Sequence, residues 1–119
     1  MKKQKIDISF INYDEVVDSL TLQSNESTDH TINIDDIFLI NLSKHNKIAG
    51  LELLNVNSLL DVSKDILNNI KTARIMVTSL AEQKKLFINT ELISLNKEQS
   101  ITIPPIPSNL HSNCTISAF

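Results

Sequence analysis

Cysteine, glycine and aromatic residues are all scarce in this chain of 119 residues. It holds one cysteine, one glycine, three prolines and no tryptophan, and aromatic residues make up 4% of it. A single cysteine, Cys114, cannot form an internal disulfide, which is typical of a reducing cytoplasm. A single glycine, Gly50, argues against a glycine-rich phosphate-binding loop. With so few aromatic side chains, the core must consist of Ile, Leu and Val, which favour sheet positions.

Basic patches and long apolar runs are also missing. The net charge is −3, and the eleven Lys and Arg residues are scattered along the chain, which is a poor footprint for a nucleic-acid-binding protein. No apolar run resembles a signal peptide or approaches the length of a membrane span. We therefore expect a cytoplasmic protein that binds neither nucleic acid nor membrane. The apolar share of 41% is enough for a folded core.

Alternating apolar and polar residues predict four main strands in the first half. They are expected at residues 5–12, 17–24, 37–43 and 48–55, with a short extra strand at 31–34. The first two should form an antiparallel hairpin. Asn46 is the best candidate for a left-handed turn residue in a connection without glycine. Gly50, inside the fourth strand, indicates a bulge or a close backbone approach.

A helical pattern follows the fourth strand. Leu59, Val62, Ile66 and Ile70 recur at helical spacing, which predicts a helix at residues 58–70 lying across the sheet. Asn57 or Ser58 would be its N-cap, and Asp61 would lie in the first turn, where the helix dipole favours a negative charge.

The second half reads as further strands. Residues 71–80 and 86–89 alternate, residues 81–84 read as a turn, and a phase slip between Ile88 and Ile93 indicates a bend or a new element. A short strand at 100–103 should end at Pro104 or lie at a sheet edge, because proline donates no ladder hydrogen bond. Residues 113–119 would form a final edge strand.

These elements predict an α+β fold, in which an antiparallel sheet of six or more short strands packs against one main helix. The chain should be a single domain over residues 1–119. Within it, residues 1–70 form a sheet-plus-helix unit and residues 71–119 a β-rich extension. An alternative is that the extension is a degenerate repeat of the first half, since residues 6–9 and 75–78 open similar patterns.

Three segments of the first half carry a family resemblance. They are Tyr13-Asp14-Glu15 with the strand that follows, the strand at 37–43, and the segment 47–55 with its glycine, glutamate and asparagine. Over residues 6–60 the chain resembles the domain of unknown function 2283 family of small prokaryotic proteins. The residues that match its signature, with no known role, are Tyr13, Asp14, Asp18, Gly50, Glu52 and Asn55.

The resemblance implies a small sheet capped by a helix and implies no activity. Some members of the family are encoded beside small toxin-like proteins, which implies an antitoxin-like partner role. The residues after about 70 have no counterpart in a minimal member of the family.

Candidate metal ligands and nucleophiles are dispersed. His30, His45 and His111 lie in separate predicted loops without metal-ligand spacing, so we predict no metal and no cofactor. Cys114 follows His111 by three residues, but a reactive thiolate needs a base and an electropositive setting. Only a turn of the backbone between the two would bring them together. We favour an inert thiol and predict no catalytic residue.

Carboxylates offer a second possible site. Asp14, Glu15, Asp18 and Glu52 would approach one another if the first, second and fourth strands are neighbours, and such a cluster would suit Ca²⁺ or Mg²⁺. We favour a turn cap for Asp14 and solvated positions for the others. The sequence thus favours a protein-interaction module without enzyme activity. The alternative is a module that binds a small ligand or a divalent metal.

Apolar residues on the face assigned to solvent predict self-association. A single helix cannot cover both faces of so large a sheet, and large exposed apolar patches are rare on soluble monomers. We therefore predict a homodimer, formed through sheet edges or through this second apolar face, unless the second half folds over it. The residues of that face are Ile11, Ile37, Leu39, Leu54, Met76 and Leu80.

Overall fold

A computed structural model describes residues 2–58, 60–80, 85–95, 97–107, 109–111 and 114–115. The described elements are β1 (Lys2–Asp7), β2 (Phe10–Asp14), β3 (Ser19–Gln23), β4 (His30–Ile34), β5 (Phe38–Leu42), β6 (Ile48–Leu54), α1 (Lys64–Leu67), β7 (Ile70–Leu80), β8 (Lys85–Ser94), β9 (Glu98–Pro107), β10 (Asn109–His111) and β11 (Cys114–Thr115).

Two antiparallel sheets form the body of the protein. One has five strands in the order β2-β3-β6-β5-β4, and the other has four in the order β1-β7-β8-β9. Strands β10 and β11 form a separate pair. The inward side chains of both larger sheets belong to one hydrophobic core, built almost entirely of Ile, Leu and Val. Its fully buried large side chains are Leu20, Leu22, Ile40, Leu42, Leu51, Leu53, Val56, Val62, Ile75, Leu86, Ile88 and Leu92.

The alternation in the first half placed most inward residues correctly. The β2–β3 hairpin forms, with Asp14 opposite Ser19. Leu20 and Leu22 are fully buried, as are Ile40 and Leu42 in β5. Asn46 has a φ of 61°, so the left-handed turn residue predicted there is confirmed.

The predicted α+β class is wrong, because the described chain is nearly all β. In place of a helix at 58–70 there is one four-residue turn of helix, α1, and its N-cap is Ser63 rather than Asn57 or Ser58. Asn55 and Asp61 have left-handed φ angles of 52° and 57°, which interrupt helical geometry.

The apolar spacing that suggested the helix arises instead from a folded connection. Val56, Val62 and Ile66 are buried in the core from that connection, and Ile70 already begins β7. Leu59 lies outside the described residues. A connection that returns to the core several times can therefore imitate a 3.6-residue period.

The strand predicted at 5–12 is two strands in different sheets. The Ile8 backbone nitrogen still donates to the Ala73 carbonyl of β7 at 3.4 Å, whereas the Ser9 nitrogen donates to the Gln23 carbonyl of β3 at 2.9 Å. This crossing shifts the alternation by one residue. Phe10, predicted inward, is 55% exposed, and Ile11, predicted outward, packs against the core.

Strand β8 runs without the predicted bend. Leu86, Ile88 and Leu92 face the core together with Thr90, which is fully buried. Because Thr90 is a polar residue at an inward position, the alternation of apolar and polar residues along β8 is interrupted there, which imitates a change of phase. Strand β9 lies at the edge of its sheet, where proline was expected. The register shifts between Leu86, opposite Ile106, and Ile88, opposite Ile103, so Pro104 and Pro105 occupy an irregularity of the ladder.

Asp and Asn take the turn positions that glycine commonly occupies. All six described non-glycine residues with positive φ are Asp or Asn: Asp18, Asp35, Asp36, Asn46, Asn55 and Asp61. Their short polar side chains tolerate the left-handed region better than other side chains do. This explains how a chain with one glycine makes so many tight connections. The predicted turn at 81–84 and residues 116–119 lie outside the described part of the chain.

Candidate functional site

The hairpin turn between β2 and β3 brings together three of the signature-like residues. The Asp14 carboxylate accepts hydrogen bonds from the backbone nitrogens of Val16 at 3.0 Å and Val17 at 3.4 Å. This arrangement is an Asx-type turn, in which a side chain takes the place of a backbone acceptor. The cap role predicted for Asp14 is therefore present in the structure.

Asp18 ends the turn and connects it to the chain that follows β6. Its Oδ1 accepts from the Tyr13 hydroxyl at 2.8 Å and from the Asn57 backbone nitrogen at 2.9 Å. Its Oδ2 accepts from the Ser58 backbone nitrogen at 3.1 Å and from the Ser58 hydroxyl at 3.0 Å. In addition, the Val56 nitrogen donates to the Asp18 carbonyl at 3.2 Å. One residue thus joins segments almost forty positions apart in the chain.

These contacts shift the pKa values of both side chains. Burial alone would raise the pKa of Asp18, but the hydrogen bonds from Asn57, Tyr13 and Ser58 stabilise its charged form and lower the pKa to about 2. The pKa of Tyr13 rises to about 12, through burial, its hydrogen bond to Asp18 and the nearby carboxylates. At neutral pH the tyrosine is therefore a neutral donor and the aspartate a charged acceptor, a pairing that suits a structural contact.

Gly50 lies where another strand's side chain crosses β6. A Cβ at this position would overlap the Leu22 carbonyl oxygen and the Gln23 Oε1 atom. The Gln23 side chain lies over the glycine, where its Oε1 accepts from Asn41 Nδ2 at 3.2 Å. The same Asn41 side chain also accepts, through its Oδ1 atom, a hydrogen bond from the Thr31 hydroxyl of β4 at 2.8 Å. Gly50 therefore provides the close approach that its place in a strand predicted.

Glu52 and Asn55 are the last two of the six signature-like residues. Glu52 Oε1 lies 3.5 Å from the hydroxyls of both Ser19 and Thr21 on the neighbouring strand. Asn55 adopts a left-handed φ of 52° and turns the chain from β6 into the segment that Asp18 holds. Strands β2, β3 and β6 are neighbours, as the carboxylate hypothesis required. However, Asp14, Asp18 and Glu52 each hold a different partner, and they do not converge on one point.

The other candidates are separate from this region. His30 lies 3.1 Å from the Asp29 carboxylate, and His45 is exposed in the β5–β6 turn. His111 and Cys114 are opposite partners in the antiparallel β10–β11 pair. Among the described residues, no group of three or more His, Cys, Asp or Glu side chains is arranged to hold a metal ion.

A groove of about 530 Å³ lies at the end of the four-stranded sheet where β7 begins and β8 ends, and sequence analysis did not find it. Its walls come from α1, the start of β7 and the β8–β9 turn, so no local motif marks it. It contains none of the candidate site residues named from the sequence, and Ile70 was expected only as part of the predicted helix. The lining residues are Asp65, Asn69, Ile70, Lys71, Ser94, Leu95 and Lys97.

Sequence analysis also missed the partners of Asp18 and the exposure of the turn. The predicted helix made Asn57 or Ser58 an N-cap, whose side chain would accept a hydrogen bond, whereas the backbone nitrogens of both residues and the Ser58 hydroxyl donate to Asp18. Val17 was assigned to a strand, yet Val16 and Val17 form the turn itself and are 94% and 61% exposed. The spacing of Asp14 and Asp18 on either side of them was the available signal, because Asp favours turns.

Comparison with protein-family models, with curated proteins and with solved structures found no match. Across the described residues, none of the helical structure has the length and apolar character needed to cross a membrane. Functional inference therefore rests on the geometry of the chain itself.

Proposed function

We propose that this domain is a protein-interaction module without enzyme activity, and that it self-associates through the outer face of its five-stranded sheet. The observation that carries the proposal is an apolar group on that face. Ile37 lies beside Leu54, whose backbone nitrogen donates to the Ile37 carbonyl at 3.0 Å. Leu39 is the next outward residue on β5, opposite Glu52.

The exposure of these residues supports a contact surface. Ile37 is 38% exposed, and Leu39 and Leu54 are half-buried. Polar and small side chains surround them on the same face, including Thr21 and Asn33. An apolar centre with a polar rim is the usual anatomy of a protein interface. A two-fold dimer would pair this patch with its own copy, which is the commonest arrangement of soluble oligomers.

The chemistry of the hairpin turn supports the same reading. The signature-like carboxylates hold backbone amides and hydroxyls, and a general acid or base must instead reach a substrate. We infer that Tyr13, Asp14, Asp18, Gly50, Glu52 and Asn55 maintain the fold and the shape of its surface. The resemblance to the domain of unknown function 2283 family implies no activity and gives these residues no known role, so this inference rests on their contacts alone.

Light scattering at micromolar concentration tests self-association. The wild-type chain should have about twice its mass of 13.4 kDa. Ile37→Lys should return the mass to that of one chain, because it would place a charge within the apolar contact surface. Leu95→Lys is the matched control: it adds the same charge at a 71% exposed leucine in the β8–β9 turn and should remain dimeric. A dimer that survives Ile37→Lys would place the interface elsewhere.

The groove between α1 and the β8–β9 turn favours a second candidate, binding of a small anionic ligand. Its size falls within the range of ligand pockets, and its lining includes two lysines, Lys71 and Lys97, against one carboxylate, that of Asp65. Titration with succinate, followed by amide chemical shifts, should perturb residues 69–71 and 94–97. The shifts should disappear in the Lys71→Gln, Lys97→Gln variant. Shifts that persist in that variant would exclude this site.

A further inference from the structure

Two valines form the tip of the β2–β3 hairpin. Val16 is 94% exposed and Val17 is 61% exposed. Turns of this kind favour polar residues and glycine, so two adjacent apolar residues at such exposure gain nothing from the fold. Among the described large hydrophobic residues, Val16 is the most exposed.

The turn holds these valines in a fixed position. Asp14 accepts from both of their backbone nitrogens. The carboxylate of Glu15 lies 3.5 Å from the Lys64 ammonium, and Asp18 is tied to Asn57 and Ser58. Every residue next to the valines therefore has a contact that braces the turn. Valine also has few side-chain rotamers, so binding through this tip would lose little conformational entropy.

The end of the sheet that carries the tip is acidic. Because β2, β3, β6, β5 and β4 are successively antiparallel, the β2–β3 turn and the β4–β5 turn lie at the same end of the sheet. That end carries Asp35 and Asp36 in addition to the three acidic residues of the hairpin turn. Lys64 is the only cation paired with any of them among the described residues. Two such tips meeting end to end would repel one another, which argues against the tip of a second copy as the occupant.

We propose that the Val16–Val17 tip docks into an apolar pocket bordered by Lys or Arg on a different protein. The valines supply the apolar contact, and the carboxylates at the same end steer and orient a basic rim. The proposal rests on the interaction role given above, but it does not depend on self-association.

Two labelled peptides of equal length provide the probe, one alternating Leu with Lys and the other alternating Leu with Glu. Fluorescence anisotropy should show binding of the Lys peptide, weakened by added salt, and much weaker binding of the Glu peptide. The Val16→Thr, Val17→Thr variant keeps the shape and β-branching of the tip but adds hydroxyl groups. It should bind the Lys peptide at least tenfold more weakly. Phe10→Thr, a control at a 55% exposed residue at the opposite end of β2, should bind as the wild type does.

Equal affinity of the wild type and the double threonine variant for the Lys peptide would overturn the proposal, and so would equal binding of the two peptides by the wild type. Light scattering of the same variant separates this proposal from self-association. A variant that loses peptide binding and keeps the wild-type mass supports docking of the tip, whether that mass is one chain or two. A wild-type dimer that becomes monomeric in the variant would make the tip a dimer contact and would overturn the proposal.

Discussion

Substitution of Asp18 should destabilise the protein in graded steps. Asp18→Asn keeps a side chain that tolerates the left-handed φ of 55° but replaces one acceptor oxygen with a donor. Asp18→Gly keeps the backbone freedom and removes all four hydrogen bonds that the carboxylate accepts. The pair therefore separates the loss of the side-chain contacts from backbone strain.

The expected magnitudes follow from the exposure of each partner. A hydrogen bond to a charged group contributes about 1.5–3 kcal/mol, and less where water can replace the acceptor. Ser58 is exposed, whereas Tyr13 and Asn57 are half-buried. If the amide of Asp18→Asn keeps its oxygen toward Tyr13 and Asn57, only the Ser58 contacts are lost, at about 1 kcal/mol. Asp18→Gly also loses the half-buried contacts and should cost about 3 kcal/mol.

Urea unfolding, monitored by circular dichroism, measures the free energies of unfolding of Asp18→Asn and Asp18→Gly. The midpoints should fall in the order wild type, Asp18→Asn, Asp18→Gly, with an unchanged dependence on urea. Ser58→Ala serves as the control, since it removes one exposed hydroxyl contact and should cost well under 1 kcal/mol. The reasoning fails if Asp18→Gly unfolds within about 0.5 kcal/mol of the wild type.

Two further substitutions test the packing around each sheet. Gly50→Ala should destabilise the fold by about 1–3 kcal/mol, because the added Cβ meets the Leu22 carbonyl oxygen as well as the movable Gln23 side chain; a urea midpoint equal to that of the wild type would contradict this close approach. Thr90→Val should stabilise the protein by about 1 kcal/mol, because the Thr90 hydroxyl is buried without a hydrogen-bond partner; a lower melting temperature in a thermal scan would show that the hydroxyl is satisfied.

The period-two pattern predicted the strands whose two faces differ clearly in polarity. It placed Leu20, Leu22, Ile40 and Leu42 inward because β3 and β5 lie within one sheet along their whole length. It failed at Ile8 and Ser9, where the chain passes from one sheet to the other and the phase shifts. Such a crossing depends on pairing with Ala73 and Gln23, which no local pattern encodes.

The candidate site was predictable in its residues and not in its contacts. The resemblance singled out Asp18 without a role, and its role depends on Asn57 and Ser58, thirty-nine and forty positions away. Those two residues were interpreted as caps of a helix, since apolar spacing alone cannot distinguish a helix from a connection that returns repeatedly to the core. The left-handed backbone angles of Asn55 and Asp61 interrupt helical geometry there, and the segment forms a folded connection in place of a long helix.

We infer that the Asp18 carboxylate serves the fold by bracing the turn, and a titration of Asp18 tests this claim. Carboxyl ¹³C shifts followed by nuclear magnetic resonance should give Asp18 a pKa of about 2, below the ordinary 3.8, and the Asn57 and Ser58 amide protons should shift with it. A lowered pKa in the folded state means that the charged form stabilises the fold above about pH 4 and that this contribution is lost as the pH falls toward 2. The stability difference between the wild type and Asp18→Asn should shrink over the same range. An Asp18 pKa near 3.8, with amide protons of Asn57 and Ser58 that do not respond, would contradict the claim.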